Sequence, residues 1–444
     1  MGKNKGMDRR RFLQTSVTGV AGAGMLGTAD FYKRYPDPQE EQPRIREYRT
    51  LGRTGFKVSD IGCGASYLSN TNVLEVALDM GINYIDTGEH YGNGLSERTI
   101  GEVIKNRDRK SVFITTKLNL TFVKATTTED ITERFRKCLE RLQTDYVDCL
   151  MIHMAATPEQ VKHEDFHRAA DALKAEGRVR FLGLSNHGVE HRIYGQQDEP
   201  MENVILAAAE DGRFDVVLMV YNFLQKDQGE KVIDACRKKD MGITLMKTNP
   251  VSEYSRRKGE LEERVKQGRE IPERYAKLMD EFETWVAQAD AFKKKYGLNS
   301  DDQVRDAAIT FCLSHPGVHS VCPSMNSFDE LETFVALSGK KLEPSDHSLL
   351  EDYGSTLGHF YCRHACSVCQ AACPHGVPVN TIMRYNHYFQ AQGREKHAMR
   401  KYAGLPDKNA GLCQDCSGPC ASACPYGVPI QGLLMLAHQN LAWV

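Results

Sequence analysis

The sequence predicts an α/β chain that closes into a (β/α)8 barrel and then runs into a small cysteine-rich domain. Three observations predict this. Between Tyr48 and about Lys340, eight short apolar runs alternate with amphipathic, charged stretches. Alternating strands and helices imply a parallel sheet with helical crossovers, and eight such units close naturally into a barrel. No Gly-x-Gly-x-x-Gly follows the first run, which puts the open doubly wound sheet second. Finally, 14 cysteines are present and eight of them crowd between Cys362 and Cys424.

The predicted strands are Val58–Ile61, Tyr84–Asp86, Val112–Lys117, Tyr146–His153, Val179–Leu184, Val216–Tyr221, Ile243–Lys247 and Val318–Pro323. Between them lie helical patterns such as Thr128–Leu142, Phe166–Glu176, Asp227–Asp240 and Asp301–Ser314, with apolar positions at helical spacing. Ser300 with Gln303 three residues on predicts a capping box for the last. Residues 251–297 are charged and helix-forming, an insertion after the seventh strand. It either covers the C-terminal mouth of the barrel, contacts the cysteine-rich domain, or is a solvated excursion. The barrel is expected over 48–345 and the cysteine-rich domain over 346–444.

A length of 444 residues allows about two or three domains. Hydrophobic residues at 41% and charged residues at 26% exclude disordered and fibrous classes. Lys+Arg 57 against Asp+Glu 59 gives a net charge of −2, with no electrostatic footprint for nucleic acid or an anionic membrane. Near the N-terminus, Arg9-Arg10-Arg11-Phe12-Leu13-Gln14 precedes a soft Gly/Ala-rich stretch from Thr15 to Ala29. That stretch is too short and too weakly apolar to span a bilayer. It resembles a twin-arginine export signal, with Gly27-Thr28-Ala29 as the cleavage region. A basic terminus beside a flexible linker is the plain alternative. The resemblance implies the twin-arginine machinery as partner and a periplasmic or other extracytoplasmic location. It also implies removal of 1–29, a linker over 30–47 and no membrane span in the mature protein.

Polar residues at the C-terminal ends of barrel strands are candidates for chemistry. Asp86 ends Asn-Tyr-Ile-Asp, Tyr91 follows five residues later, Lys117 ends Val-Phe-Ile-Thr-Thr-Lys and His153 ends Asp-Cys-Leu-Met-Ile-His. The segment Gly81-Ile-Asn-Tyr-Ile-Asp-Thr-Gly-Glu-His-Tyr-Gly-Asn-Gly-Leu-Ser-Glu-Arg98 resembles the aldo-keto reductases around their aspartate and tyrosine. So do the opening Leu51-Gly-Arg-Thr-Gly-Phe-Lys-Val-Ser59 and the late Leu313-Ser-His-Pro-Gly-Val318. The resemblance covers roughly 48–337. It implies that Tyr91 is the general acid toward a substrate carbonyl, or the base in the oxidative direction. A phenol with a pKa near 10 is poorly matched to neutral pH, so an adjacent cation is expected to favour its phenolate. Lys117 would supply that charge, Asp86 would hold Lys117, and His153 would orient the carbonyl oxygen.

The resemblance also points to nicotinamide residues. Ser185 and Asn186 match positions that bond the carboxamide, whereas the usual glutamine near strand six falls on Leu218. The stacking aromatic after strand seven is replaced by Lys247 or Thr248. Pro323, Ser324, Met325 and Asn326 occupy the phosphate-binding stretch, and the basic residues expected for a 2′-phosphate fall on Ser324 and Glu330. A preference for NADP is therefore not supported: NAD(H) binds, a nicotinamide is held differently, or none is used.

Cys362, Cys366, Cys369 and Cys373-Pro374 form one quartet; Cys413, Cys416, Cys420 and Cys424-Pro425 form another. Each is followed by Gly-Val-Pro, which makes an internal repeat. The pattern resembles ferredoxins carrying two 4Fe-4S clusters, with one extra residue in one spacer of each quartet. In such modules the Cys-Pro cysteine can serve the other cluster, which leaves the assignment of Cys373 and Cys424 open. Disulfides suit an exported chain but not spacings this tight. Zinc prefers two-cysteine knuckles set farther apart. The six other cysteines (63, 138, 149, 236, 312 and 322) sit in apolar contexts and read as small core residues. His364 and His375 lie among the quartets as surface histidines or as hydrogen-bonding neighbours of a cluster.

The reading is an exported aldo-keto reductase-like oxidoreductase with a ferredoxin-like module. It would interconvert a carbonyl and an alcohol on a small polar substrate, a sugar being suggested by compartment alone, and exchange electrons with a donor or acceptor of unknown identity. The rivals are an electron-transfer or docking protein whose barrel does not turn over, and an enzyme whose clusters are only structural.

Overall fold

The structure is a computed structural model. It describes residues 43–442 apart from 121–125, 187–198, most of 252–285, 392–393 and positions 365, 367 and 406. The expected export signal and residues 30–42 of the expected linker lie outside the described residues.

The chain opens with a hairpin, β1 (Tyr48–Thr50) against β2 (Lys57–Ser59), antiparallel. The turn between them needs Gly52 at φ 46: a Cβ there would meet the backbone of Gly242 at 2.4 Å. Val58–Ile61 is therefore not the first barrel strand, as predicted from its apolar run. The tight turn folds Lys57–Ser59 back on Tyr48–Thr50, and the first stave is the short β3 (Cys63–Gly64).

The staves that follow are β4 (Tyr84–Asp86), β5 (Phe113–Asn119), β6 (Val147–His153), β7 (Val179–Asn186), β8 (Val216–Val220), β9 (Gly242–Met246) and β10 (Ser320–Val321). All eight pair in parallel in sequence order. Parallel bridges from Ile61 to Val321 and from Gly64 to Ser324 join the last strand to the first. The barrel is closed. Gly64 makes that closure possible, since a Cβ would lie 2.7 Å from the Cys322 carbonyl oxygen.

The crossovers are α1 (Thr71–Asp79), α2 (Leu95–Ile104), α3 (Thr128–Leu142), α4 (Pro158–Val161), α5 (Glu164–Ala175), α6 (Met201–Asp211), α7 (Lys226–Lys238) and α8 (Asp302–Ser314); α9 (Phe328–Val335) follows β10. Helix α3 shows why they form: its N-cap Thr127 accepts from Asp130 N, and only Ile131, Phe135, Cys138 and Leu142 are buried, one face of the helix. The predicted capping box at α8 is not formed. The Ser300 hydroxyl is engaged instead with Asp302, accepting its N–H and donating to its carboxylate.

Two smaller cores extend the barrel. Phe292, from a helical stretch over 286–296, packs on Tyr353 of α10 (Pro344–Leu357), with Ala307 and Ala308 of α8 in the same cluster. The described end of the insertion thus contacts the C-terminal region, and α10 itself runs across the expected 345/346 boundary. Beyond it, α11 (Val379–Ala391), α12 (Glu395–Ala403), α13 (Pro419–Ser422) and α14 (Ile430–Leu441) enclose a core of Val377, Ile382, Tyr385, Val428, Leu433 and Leu434. The internal repeat is visible here: Gly376 and Gly427 both take left-handed conformations, at φ 63 and 64, just ahead of α11 and α14.

This region docks on loops at the C-terminal end of the barrel. Gln225 and His364 exchange two hydrogen bonds through the His364 backbone, at 2.5 and 3.0 Å. Asn222 donates to the Tyr361 hydroxyl (3.3 Å), and Arg363 Nε donates to the Leu224 carbonyl (3.1 Å). Arg394 donates to the Tyr67 hydroxyl (3.0 Å). Truncating Gln225→Ala strips two buried backbone groups of these bonds and should destabilise the chain by about 1–3 kcal/mol. The readout is the denaturant midpoint; an unchanged midpoint contradicts this docking.

Candidate functional site

The segment after β4 builds the centre of the site. Gly92, Asn93 and Gly94 take successive left-handed conformations (φ 58, 54 and 79), which only glycine and asparagine adopt readily. That sharp turn presents Tyr91 at the rim, and the residues behind it are pinned. The Ser96 hydroxyl bonds Thr87 Oγ1 (2.7 Å) and the Ala65 carbonyl (2.6 Å), and buried Glu97 pairs with Arg141 (2.6 Å). The tail of the recognised segment is therefore structural.

Asp86, Tyr91, Lys117 and His153 come together. Lys117 is fully buried, and its Nζ donates to Asp86 Oδ1 (2.5 Å), the Thr87 carbonyl (2.6 Å) and the Tyr91 hydroxyl (3.3 Å). Three acceptors use all three protons of an ammonium, so Lys117 is charged, and its pKa is raised: burial opposes the charge, but Asp86 and Tyr91 together outweigh it. The His153 ring meets the Tyr91 ring edge-on, with centroids 5.5 Å apart.

The acidified phenol expected from the sequence is not found. Burial pushes the Tyr91 hydroxyl up to about 12; Lys117 pulls down against it, and the Asp86 carboxylate adds to the rise. Because Asp86 neutralises the ammonium next to it, Lys117 orients the phenol more than it ionises it. The hydroxyl accepts from Lys117, which leaves its own proton to donate elsewhere.

Sequence reasoning missed several neighbours. Glu89 accepts from Asn119 N (2.8 Å) and pairs with Arg134, fixing the loop that carries Tyr91; it lay inside the recognised segment, so its presence there was the available signal. Tyr67 is an electrostatic neighbour of Tyr91 and carries Arg394 at 4.7 Å from its ring. No local motif marks Tyr67 or Arg394, because only tertiary docking joins them.

The expected nicotinamide residues lie around the same mouth. Ser185 Oγ accepts from Met154 N (3.0 Å), and Asn186 Nδ2 donates to the Ala155 carbonyl (2.7 Å), both at the end of β7. Leu218 is buried in β8, beside Ser185 in the ladder. Lys247 follows β9 in a left-handed conformation (φ 58), its carbonyl accepting from Asn222 (3.0 Å). In the last loop, Pro323 has no N–H to offer, Met325 is buried, and Ser324 Oγ lies 3.2 Å from Ser66 Oγ. The Glu330 carboxylate already accepts the Asn326 N–H (2.7 Å).

The eight C-terminal cysteines fall into two neighbourhoods, each taking three from one quartet and one from the other. Cys424 neighbours Cys362, Cys366 and Cys369; Cys373 neighbours Cys413 and Cys420. Burial pushes the thiols of Cys362, Cys369 and Cys413 up to about 12. Among the described residues, no three His, Cys, Asp or Glu side chains converge tightly enough to hold a single metal ion.

A family model described as "Aldo/keto reductase family" matches residues 64–354. The uncharacterized oxidoreductase YqkF of Bacillus subtilis (strain 168) is 23% identical over 322 residues, 69% of this chain and 95% of that one. L-galactose dehydrogenase of Arabidopsis thaliana is 31% identical over 210 residues, 43% of this chain and 64% of its own length. The NADH-specific methylglyoxal reductase of Escherichia coli (strain K12) is 26% identical over 227 residues, 46% and 65% respectively. Among solved structures, the holo form of an aldo-keto reductase from Bacillus halodurans covers 69% of this chain and 95% of its own, at 22% identity and a TM-score of 0.49. No helix among the described residues is long and apolar enough to cross a membrane. With the family model matched over most of the 444 residues and the barrel closed, the chain belongs to the aldo/keto reductase family.

Proposed function

We propose that this oxidoreductase reduces a carbonyl on a small polar molecule to an alcohol, with Tyr91 as the proton donor. The observation that carries the reading is the Lys117 ammonium, which fills its third bond with the Tyr91 oxygen and so turns the phenolic proton outward. The reaction moves two electrons and two protons. Tyr91 donates to the carbonyl oxygen as charge develops on it, and His153, against the same ring, orients that oxygen. Asp86 keeps the ammonium paired.

A nicotinamide fits at its carboxamide end, where Ser185 and Asn186 would hold it, and bound there it would supply the hydride. The Glu330 carboxylate at the Asn326 amide opposes a 2′-phosphate, so NADH suits the site better than NADPH. A relative named as NADH-specific is consistent with that choice.

The two cysteine neighbourhoods fit two 4Fe-4S clusters. A cluster is a cage that holds its four thiolates farther apart than one metal ion would, and N–H donors commonly face its sulfurs. Such donors are present: Asn380 Nδ2 to Cys362 Sγ (3.4 Å), Val377 N to Cys373 Sγ (3.3 Å) and Gly418 N to Cys416 Sγ (3.5 Å). Bound clusters would carry electrons one at a time between the barrel and an external partner. Cys362, Cys366, Cys369 and Cys424 would hold one, and Cys373, Cys413, Cys416 and Cys420 the other. Export by the twin-arginine route, read from Arg9-Arg10-Arg11-Phe12-Leu13, accords with a chain that must fold around such groups first.

Tyr91→Phe should lower carbonyl turnover by about 10²–10⁴-fold in a screen with NADH, NADPH and a reduced artificial dye; equal rates on every active substrate defeat the assignment. The pH profile adds a second check. A hydroxyl pushed up to about 12 stays protonated through neutrality, so on its account reduction is flat there. Oxidation, which needs the phenolate, should rise about tenfold per pH unit. A reductive limb falling below pH 9 contradicts the proposal.

A further inference from the structure

One side chain of the C-terminal region reaches the first loop at the C-terminal end of the barrel. Arg394 stands just ahead of α12, and its Nη1 donates to the Tyr67 hydroxyl at 3.0 Å. Its guanidinium also lies over the Tyr67 ring, 4.7 Å from the centroid, and 6.0 Å from the ring centroid of Tyr388 in α11. The Arg394 amide donates to the Tyr388 carbonyl at 3.1 Å, so α11 fixes the backbone from which the side chain extends. A planar cation that faces a ring and also donates to its hydroxyl fixes that ring in both direction and depth.

Tyr67 sits where that hold bears on the reaction. It belongs to the turn Ala65–Leu68, closed by the Leu68 amide on the Ala65 carbonyl (3.2 Å) and anchored by buried Leu68. The turn follows directly on Gly64, which lies opposite Asp86 in the parallel ladder, and the Ala65 amide donates to the Asp86 carbonyl at 2.9 Å. Beside it, Ser66 Oγ meets Ser324 Oγ of the last loop at 3.2 Å. Half-buried Tyr67 is therefore held at the end of the barrel where the chemistry gathers, next to the stave that carries Asp86. Its electrostatic link to Tyr91 agrees with that placement. Seven residues past Arg394, Lys401 is an electrostatic neighbour of His90, the residue before Tyr91. Both ends of α12 thus neighbour strand-to-helix loops, those following β3 and β4.

We infer that Arg394 is a positioning residue for the barrel's reaction: by holding Tyr67, it lets the C-terminal region complete the wall of the mouth beside Tyr91. This rests on the reading of Tyr91 as proton donor given above. A tyrosine on a short turn has more than one staggered rotamer within reach, and the guanidinium selects one of them. Presenting a carbonyl to the Tyr91 hydroxyl demands that the surrounding wall stay put, since a shift of about 1 Å can cost 10²-fold in rate. Removing Arg394 therefore changes turnover, and does so through Tyr67. Lysine carries the charge without the planar fork, so it replaces the arginine only in part.

The test is a double-mutant cycle in the full chain, on a carbonyl substrate found by the screen above. Arg394→Met should lower kcat/KM by about 10–100-fold. Tyr67→Phe, which keeps the ring and loses the acceptor, should lower it by about tenfold. The double variant should lose no more than Arg394→Met alone, and Arg394→Lys should recover part of the loss. Losses that multiply in the double variant, or single variants equal to wild type, overturn the assignment. Where Arg394→Met fails to fold, Arg394→Lys against Tyr67→Phe completes the cycle. A second measurement needs no turnover: in carbon NMR of ring-labelled tyrosine, Arg394→Met should shift both the Tyr67 and Tyr91 resonances. The resonance of Tyr146, at the opposite end of the barrel, should stay; a Tyr91 resonance that stays as well overturns the assignment. If Tyr91→Phe turns over as fast as wild type, the proton-donor reading beneath fails instead. An inactive Tyr91→Phe beside unimpaired Arg394→Met and Tyr67→Phe defeats this inference alone.

Discussion

A single buried ammonium organises the mouth of the barrel. Lys117 has no exposed surface, and each of its protons is taken by a different acceptor drawn from β4 or the turn after it. The parallel pairing of β4 with β5 brings them within reach: Asp86 lies opposite Thr115, two residues before Lys117. Remove Asp86 and a buried charge is left unmatched, at a cost of about 3–5 kcal/mol. The ion pair is therefore both part of the scaffold and the device that fixes which way the Tyr91 proton points.

Where a carboxylate pairs the cation, as at Lys117, the result is orientation with little net field. The C-terminal region meets the barrel at the loop Asn222–Gln225, and its Arg394 reaches Tyr67, an electrostatic neighbour of Tyr91. The C-terminal region is held to the barrel by these contacts.

Much of this was legible in the sequence. Strand-end placement found Asp86, Tyr91, Lys117 and His153, because the alternation of strand and helix fixes which residues reach the C-terminal face. Helix α3 was read to the residue, since its cap and apolar spacing agree. The first strand was misplaced because Val58 and Ile61 are apolar for different reasons: one belongs to a hairpin, the other to the closing bridge with Val321. The sign of the Tyr91 shift was missed because a sequence lists the cation but not the depth of burial or the carboxylate that cancels it. Arg394 was invisible because only the folded chain brings it to Tyr67.

The most direct measurement is the titration of the Tyr91 phenol itself, by carbon NMR of ring-labelled tyrosine with Tyr91→Phe identifying the signal. The account predicts a resonance that stays in the neutral-phenol position beyond the range where ordinary tyrosines ionise, and moves higher still in Lys117→Met. A Tyr91 signal ionising below the ordinary tyrosine range would show a base poised for oxidation, and the proton-donor account would fail.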